Sequence, residues 1–108
     1  MRETIHLALH FLVPLAVAGI AYRKQFWKAL GIMVATMAVD VDHLLARPVF
    51  DACRCSIGFH PLHTWPAIVV YVALLFHPKT RLIGLGLCIH MALDQVDCWW
   101  MVGEGCGV

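Results

Sequence analysis

Apolar residues fall in four runs separated by short polar connections. Thr4 to Tyr22 is apolar over about the ~20 residues that a membrane-spanning helix needs, interrupted only by His6, His10 and Pro14. A second run extends from Phe26 to Leu45, a third and shorter one from His63 to His77, and a fourth from Leu82 to Met101. Pro14 has no amide for the carbonyl of His10, so the pattern predicts a kink in the first helix. Gly31 and Ala35 are spaced to let another helix approach closely. His63 or Thr64 can cap the third helix, with Pro66 in its first turn. The connections are basic after the first and third runs, and Arg47 to Pro61 forms the longest loop. The glycine-bearing tail, Val102 to Val108, is expected to fray. The expected architecture is an all-α, four-helix up-and-down transmembrane bundle, one domain over residues 1–108 with spans at about 4–22, 26–45, 63–77 and 82–101.

Composition points the same way. A chain of 108 residues with 61% hydrophobic and 14% charged residues and a mean hydropathy of +0.77 lies outside the soluble globular range. With a formal charge of +1 and no basic run interleaved with aromatics, nucleic acid is not an expected partner; the lipid bilayer is. Met1 to Ala21 has the length of a signal peptide, but one Arg against one Glu and two interrupting histidines favour a retained helix. Tyr22, Trp27, Trp65, Trp99 and Trp100 fall at the ends of the expected spans, as in an aromatic belt. Arg23, Lys24, Lys28, Lys79 and Arg81 outnumber Arg2, Arg47 and Arg54 on the opposite side, which places both termini and the long loop outside the cytoplasm. Among the five cysteines, Cys88 reads as a small core residue. Cys53, Cys55 and Cys106 read as free thiols, with a loop-to-tail disulfide as the alternative in an oxidising compartment.

The polar residues inside these runs carry the chemistry. They form four stations: His6 and His10; Asp40-Val41-Asp42-His43; His60 and His63; and His90, Asp94 and Asp97. An up-and-down bundle brings all four to one side, most of them within about 5 to 12 Å of the helix ends. A carboxylate near the bilayer centre costs about 2.5 to 3.5 kcal/mol, and no Lys or Arg within these spans is expected to pair with the four aspartates. A metal ion is the remaining partner. A lone histidine is more often hydrogen-bonded than ligating, and His77 beside Pro78 is expected to be of that kind. Asp40 and His43 share a helix face, whereas Asp42 points about 160° away from Asp40 on a regular α-helix. Asp42 therefore needs a second site or a distorted helix. Imidazole and carboxylate without a thiolate pair suit zinc first, then manganese, iron or nickel. The candidate ligands His6, His10, Asp40, Asp42, His43, His60, His63, His90 and Asp94 exceed one tetrahedral site, so two or more ions, or a shell of orienting residues, are expected. An open metal position makes hydroxide available near neutral pH, which is hydrolase chemistry.

Asp40-Val-Asp-His43, His60-Pro-Leu-His63-Thr and His90-Met-Ala-Leu-Asp94, preceded by an N-terminal His, together resemble the small bacterial inner-membrane proteins classed as LexA-binding metal-dependent hydrolases. They resemble more closely a smaller, uncharacterised bacterial membrane-protein family with the same DxDH, HxxH and HxxxD stations. Those families are placed by similarity near zinc-dependent phospholipase C and single-strand nucleases, helical proteins that hold several zinc ions. The resemblance covers His6 to Asp97. It implies metal ligands at His6, Asp40, Asp42, His43, His60, His63, His90 and Asp94, while His10 and Asp97 are added from helical spacing alone. His-Pro-Leu-His stands where the larger family tends to have His-Arg-x-x-Thr-His, so one partner for substrate charge is missing.

The expected function is a metal-dependent hydrolase of the bacterial inner membrane, acting on a phosphoester of a lipid or lipid-linked substrate. Asp42 or Asp97 is the expected general base. Arg47 or Arg54 would hold an anionic headgroup, or else be solvated loop charges. The rivals are a metal-ion or proton transporter and a non-catalytic metal-binding protein. A transporter needs a polar path to both faces, and the cytoplasmic halves of the runs are apolar. A bis-histidine haem protein is disfavoured by four clustered aspartates. Homo-oligomerisation is left open.

Overall fold

The four runs fold as α1 (Arg2–Ala21), α2 (Phe26–Ala35), α3 (Trp65–Leu74) and α4 (Arg81–Gly103). The computed structural model describes residues 1–106, and every regular element among them is helical. Two helices, α1 and α4, are long and apolar enough to cross a membrane, where the sequence suggested four. Two local events account for the difference. At Thr36 the second run leaves α geometry for a 3-10 segment, Thr36–Leu45, and α3 ends at Leu74. Ten α-helical residues cover about 15 Å, half of the ~30 Å hydrocarbon core.

α1 turns into α2 through a short 3-10 turn at Arg23–Gln25. The α3–α4 connection is tied by Thr80, whose Oγ1 donates to the carbonyl of Leu74 at 2.8 Å. α4 packs against all three other helices and against the 3-10 segment. One end of the core is Ala18, Ala29 and Met33, flanked by Leu82, Leu85 and Ile89. The other is Val39, Tyr71 and Met91, and the polar stations gather around it.

Glycine sets how closely α4 approaches its neighbours. A Cβ on Gly84 would lie 2.8 Å from the Cβ of Leu74 and 2.9 Å from the Tyr71 carbonyl, and one on Gly86 would lie 2.6 Å from Thr36 Oγ1 and 2.9 Å from the Met33 Cα. The close contacts are therefore at Gly84 and Gly86, not at Gly31 and Ala35, which are exposed. α1 continues as a helix through Pro14. Thr64 precedes α3, but its Oγ1 donates to the Pro61 carbonyl at 2.8 Å instead of capping the helix.

The loop between the 3-10 segment and α3 is held by two disulfides, Cys53–Cys106 and Cys55–Cys98. The first is the loop-to-tail bridge that the sequence left as the alternative to free thiols. The second engages Cys98 on α4, and Cys88 is the free cysteine among the described residues. The tail that was expected to fray begins within α4. α4 continues to Gly103, and the amide of Cys106 donates to the Met101 carbonyl at 2.9 Å. The rest of that expectation, residues 107 and 108, lies outside the described residues.

Candidate metal centre

The switch to 3-10 geometry decides where the DxDH carboxylates point. At three residues per turn, Asp40 and His43 eclipse one another, and His43 Nδ1 lies 3.1 Å from the Asp40 carbonyl. Asp42 is turned the other way and is buried. Its Oδ2 accepts from the Leu62 amide at 2.8 Å and faces His63 Nδ1 at 2.9 Å. Asp42 thereby stabilises the 3-10 turn Pro61–His63 and fixes His63 with its proton on Nδ1. Tyr71 of α3 supports the same turn, its hydroxyl donating to the Leu62 carbonyl at 2.8 Å.

His63, wholly buried, then turns Nε2 toward a cluster of carboxylate and imidazole atoms. Asp94 Oδ2 is 3.0 Å away, Asp40 Oδ1 3.3 Å and His90 Nε2 3.3 Å. These four residues each offer a ligand atom within 4.8 Å of the others. A second group uses the other oxygen of the same carboxylate: Asp94 Oδ1 lies 3.0 Å from His6 Nε2 and 3.4 Å from His10 Nε2. His10 Nδ1 donates to the His6 carbonyl at 2.8 Å, so its Nε2 faces the carboxylate as a second acceptor. Asp94 Oδ2 and His10 Nε2 are buried and make no hydrogen bond among the described residues. Buried nitrogen and carboxylate atoms this close to one another are held together by a shared proton or by a metal ion. The N and O donor set is one that a divalent metal accepts.

Asp42, His43 and His60 form a third potential ligand group. His43 and His60 stack with ring centroids 3.8 Å apart. Burial, and then the neighbouring His43, lower the pKa of His60, which favours its neutral imidazole.

Asp97 lies outside all three groups. Contrary to the expectation that no cation would pair with the aspartates, Arg2 of α1 does so across the helix interface, Nη1 donating to Asp97 Oδ1 at 2.8 Å. Arg2 is buried and also donates to Glu104, Glu3 and the Ala52 carbonyl. Three residues outside the four stations thus support them: Arg2, Tyr71 and Ser56, whose Oγ is 3.5 Å from His43 Nε2. Only Arg2 left a signal in the sequence, extending the His6 and His10 stripe by one turn.

A cavity of about 340 Å³ opens over the cluster. His6, Asp40, His43, His60, Asp94 and Asp97 line its floor, Leu7, Val49, Phe50 and Met101 add apolar wall, and Arg54 stands at its side. Arg54 donates to the Pro48 carbonyl at 2.7 Å and lies 4.7 Å over the Phe59 ring. Asp42 and Arg47 line a separate depression beyond His60.

A family model described as "Family of unknown function (DUF6122)" matches residues 1–101, and the chain belongs to that family. No curated protein and no solved structure matches the chain.

Proposed function

We propose that this DUF6122 protein is a membrane-embedded, metal-dependent hydrolase acting on a phosphoester of a lipid or lipid-linked substrate. The observation that carries the proposal is Asp94, whose two carboxylate oxygens belong to two different ligand groups beneath one open cavity. The two groups that share Asp94 would each hold a divalent ion, zinc foremost, and the pair would supply Lewis acidity and a water of lowered pKa. The resemblance of the DxDH, HxxH and HxxxD stations to the LexA-binding hydrolases supports the same chemistry.

The chain's own residues divide the work. Asp42, placed behind His63, orients that ligand and sets its tautomer. Asp97 lines the cavity outside the ligand groups, with Oδ1 held by Arg2, and is the candidate proton acceptor in preference to Asp42, which is buried behind His63. Of the two arginines that line the cavity, Arg2 is committed to Asp97, Glu3 and Glu104, so Arg54 is the cation for an anionic headgroup, in preference to Arg47. Exposed Leu7, Phe11, Leu12 and Leu15 on α1 continue the cavity's apolar wall to the outside of the bundle, a surface suited to acyl chains.

The bilayer itself belongs to the proposal. α1 and α4 would span it, with the 3-10 continuation of α2 and the short α3 completing the bundle. The exposed Trp27, Trp65 and Trp99 would sit at its interfaces. Two disulfides at the site-bearing end suit an oxidising compartment, in agreement with the positive-inside orientation.

The test is turnover. Purified protein should cleave long-chain lipid phosphoesters, lose activity on chelation and regain it with zinc or manganese. Asp97→Asn, assayed at saturating metal, should lower kcat by about 10²- to 10⁴-fold. Uncleaved phosphoesters, together with metal or proton flux into reconstituted vesicles that Asp94→Ala abolishes, would replace the hydrolase by a transporter.

A further inference from the structure

α1 and α4 meet in an antiparallel ladder. Arg2, His6 and His10 follow at i, i+4 and i+8 on α1, and His90, Asp94 and Asp97 at i, i+4 and i+7 on α4. The innermost rung sets the His10 ring 4.4 Å from that of His90. The middle rung is His6 with Asp94, 3.0 Å between Nε2 and Oδ1. The outermost is Arg2 with Asp97, 2.8 Å apart, and the same Asp97 oxygen lies 3.9 Å from His6 Nδ1. At this rung the cation that the carboxylate requires is a fixed guanidinium. Arg2 is 4% exposed and engages three of its nitrogens, reaching Glu104 through Nε and both Glu3 and the Ala52 carbonyl through Nη2. Ala52 belongs to the loop that walls the cavity, one residue before the Cys53–Cys106 bridge.

We infer that Arg2 is a positioning residue for the His6–His10–Asp94 metal group. By holding Asp97 beside His6 and tying the start of α1 to the end of α4 and to the loop, it fixes the register in which His6 meets Asp94. Lysine cannot replace it, because one ammonium on a flexible stem cannot serve Asp97, Glu104 and Ala52 at once. The inference rests on the metal centre proposed above but not on its hydrolytic activity.

The experiment titrates metal-stripped, full-length protein in detergent with cobalt(II) and follows its visible absorption. His6→Ala identifies the component that belongs to the His6 group, and His63→Ala the component of its neighbour. Arg2→Gln should weaken the first component by about 10- to 100-fold, as loss of a residue orienting a ligand does, and leave the second unchanged. Arg2→Lys should fail to restore it. Asp97→Asn should reproduce the loss and carries the test if Arg2→Gln does not fold. Wild-type cobalt affinity and spectrum in both Arg2→Gln and Asp97→Asn, even with a lowered Tm, would reduce Arg2 to a structural tie and overturn the inference. Equal loss of both components would also overturn it. Absence of any His6-dependent component in the unmodified protein would instead remove the metal centre itself, and this inference with it.

Discussion

Asp94 and Asp42 show how one residue type takes two roles through its neighbours. Both carboxylates face imidazole nitrogens on each oxygen, but Asp42 meets Nδ1 of His43 and His63 and its Oδ2 also accepts from the Leu62 amide, whereas Asp94 faces the Nε2 atoms of His6, His10, His63 and His90. Asp42→Asn should therefore lower metal affinity by about 10- to 100-fold without removing a ligand of the central group. Competition against a chromophoric chelator measures this, and an affinity equal to that of the unmodified protein would refute the orienting role. The histidine and aspartate stations were legible in the sequence because polar groups stand out within apolar runs. Arg2 was legible only as one more turn of the His6 and His10 stripe, since a cation at the second position otherwise reads as an ordinary solvated end. Tyr71 was hidden in an otherwise apolar segment, and its hydroxyl's contact with the Leu62 carbonyl adds a polar role to its place in the core.

The 3-10 segment Thr36–Leu45 is the element that most departs from expectation, and the site depends on it. On a regular α-helix, Asp40 and Asp42 diverge by about 160°. The 120° step of a 3-10 helix instead stacks Asp40 on His43 and turns Asp42 behind His63. Nothing in Thr-Met-Ala-Val-Asp-Val-Asp breaks a helix locally, so the change of geometry was not legible there. It coincides with the place where Gly86 of α4 presses on Thr36 and Met33. Gly86→Leu should force that contact apart and destabilise the fold by about 1 to 3 kcal/mol, as overpacking does. Gly31→Leu, where nothing lies within 4 Å of the added Cβ, should be close to neutral. Thermal unfolding of the two variants decides the matter, and equal effects would mean that the α2–α4 contact is not as close as described.

At the scale of the whole molecule, helical periodicity predicted four helices and their order correctly, and one end of the bundle collects every station. Span length was less legible, because an apolar run does not reveal where α geometry stops. The pairing of Cys55 with Cys98 was not legible either, since it joins a loop to a helix face 43 residues away. Alkylation of unreduced, denatured protein should label one cysteine, Cys88, and alkylation after reduction should label five. More than one label before reduction would contradict the two bridges. The central claim is that Asp94 joins two metal groups. Elemental analysis of protein never exposed to chelator tests it most directly, with Asp94→Ala measured beside it. The account predicts at least two transition-metal ions per chain and the loss of two on removing this one carboxylate; unmodified protein carrying no metal, or Asp94→Ala retaining all of it, would contradict the account.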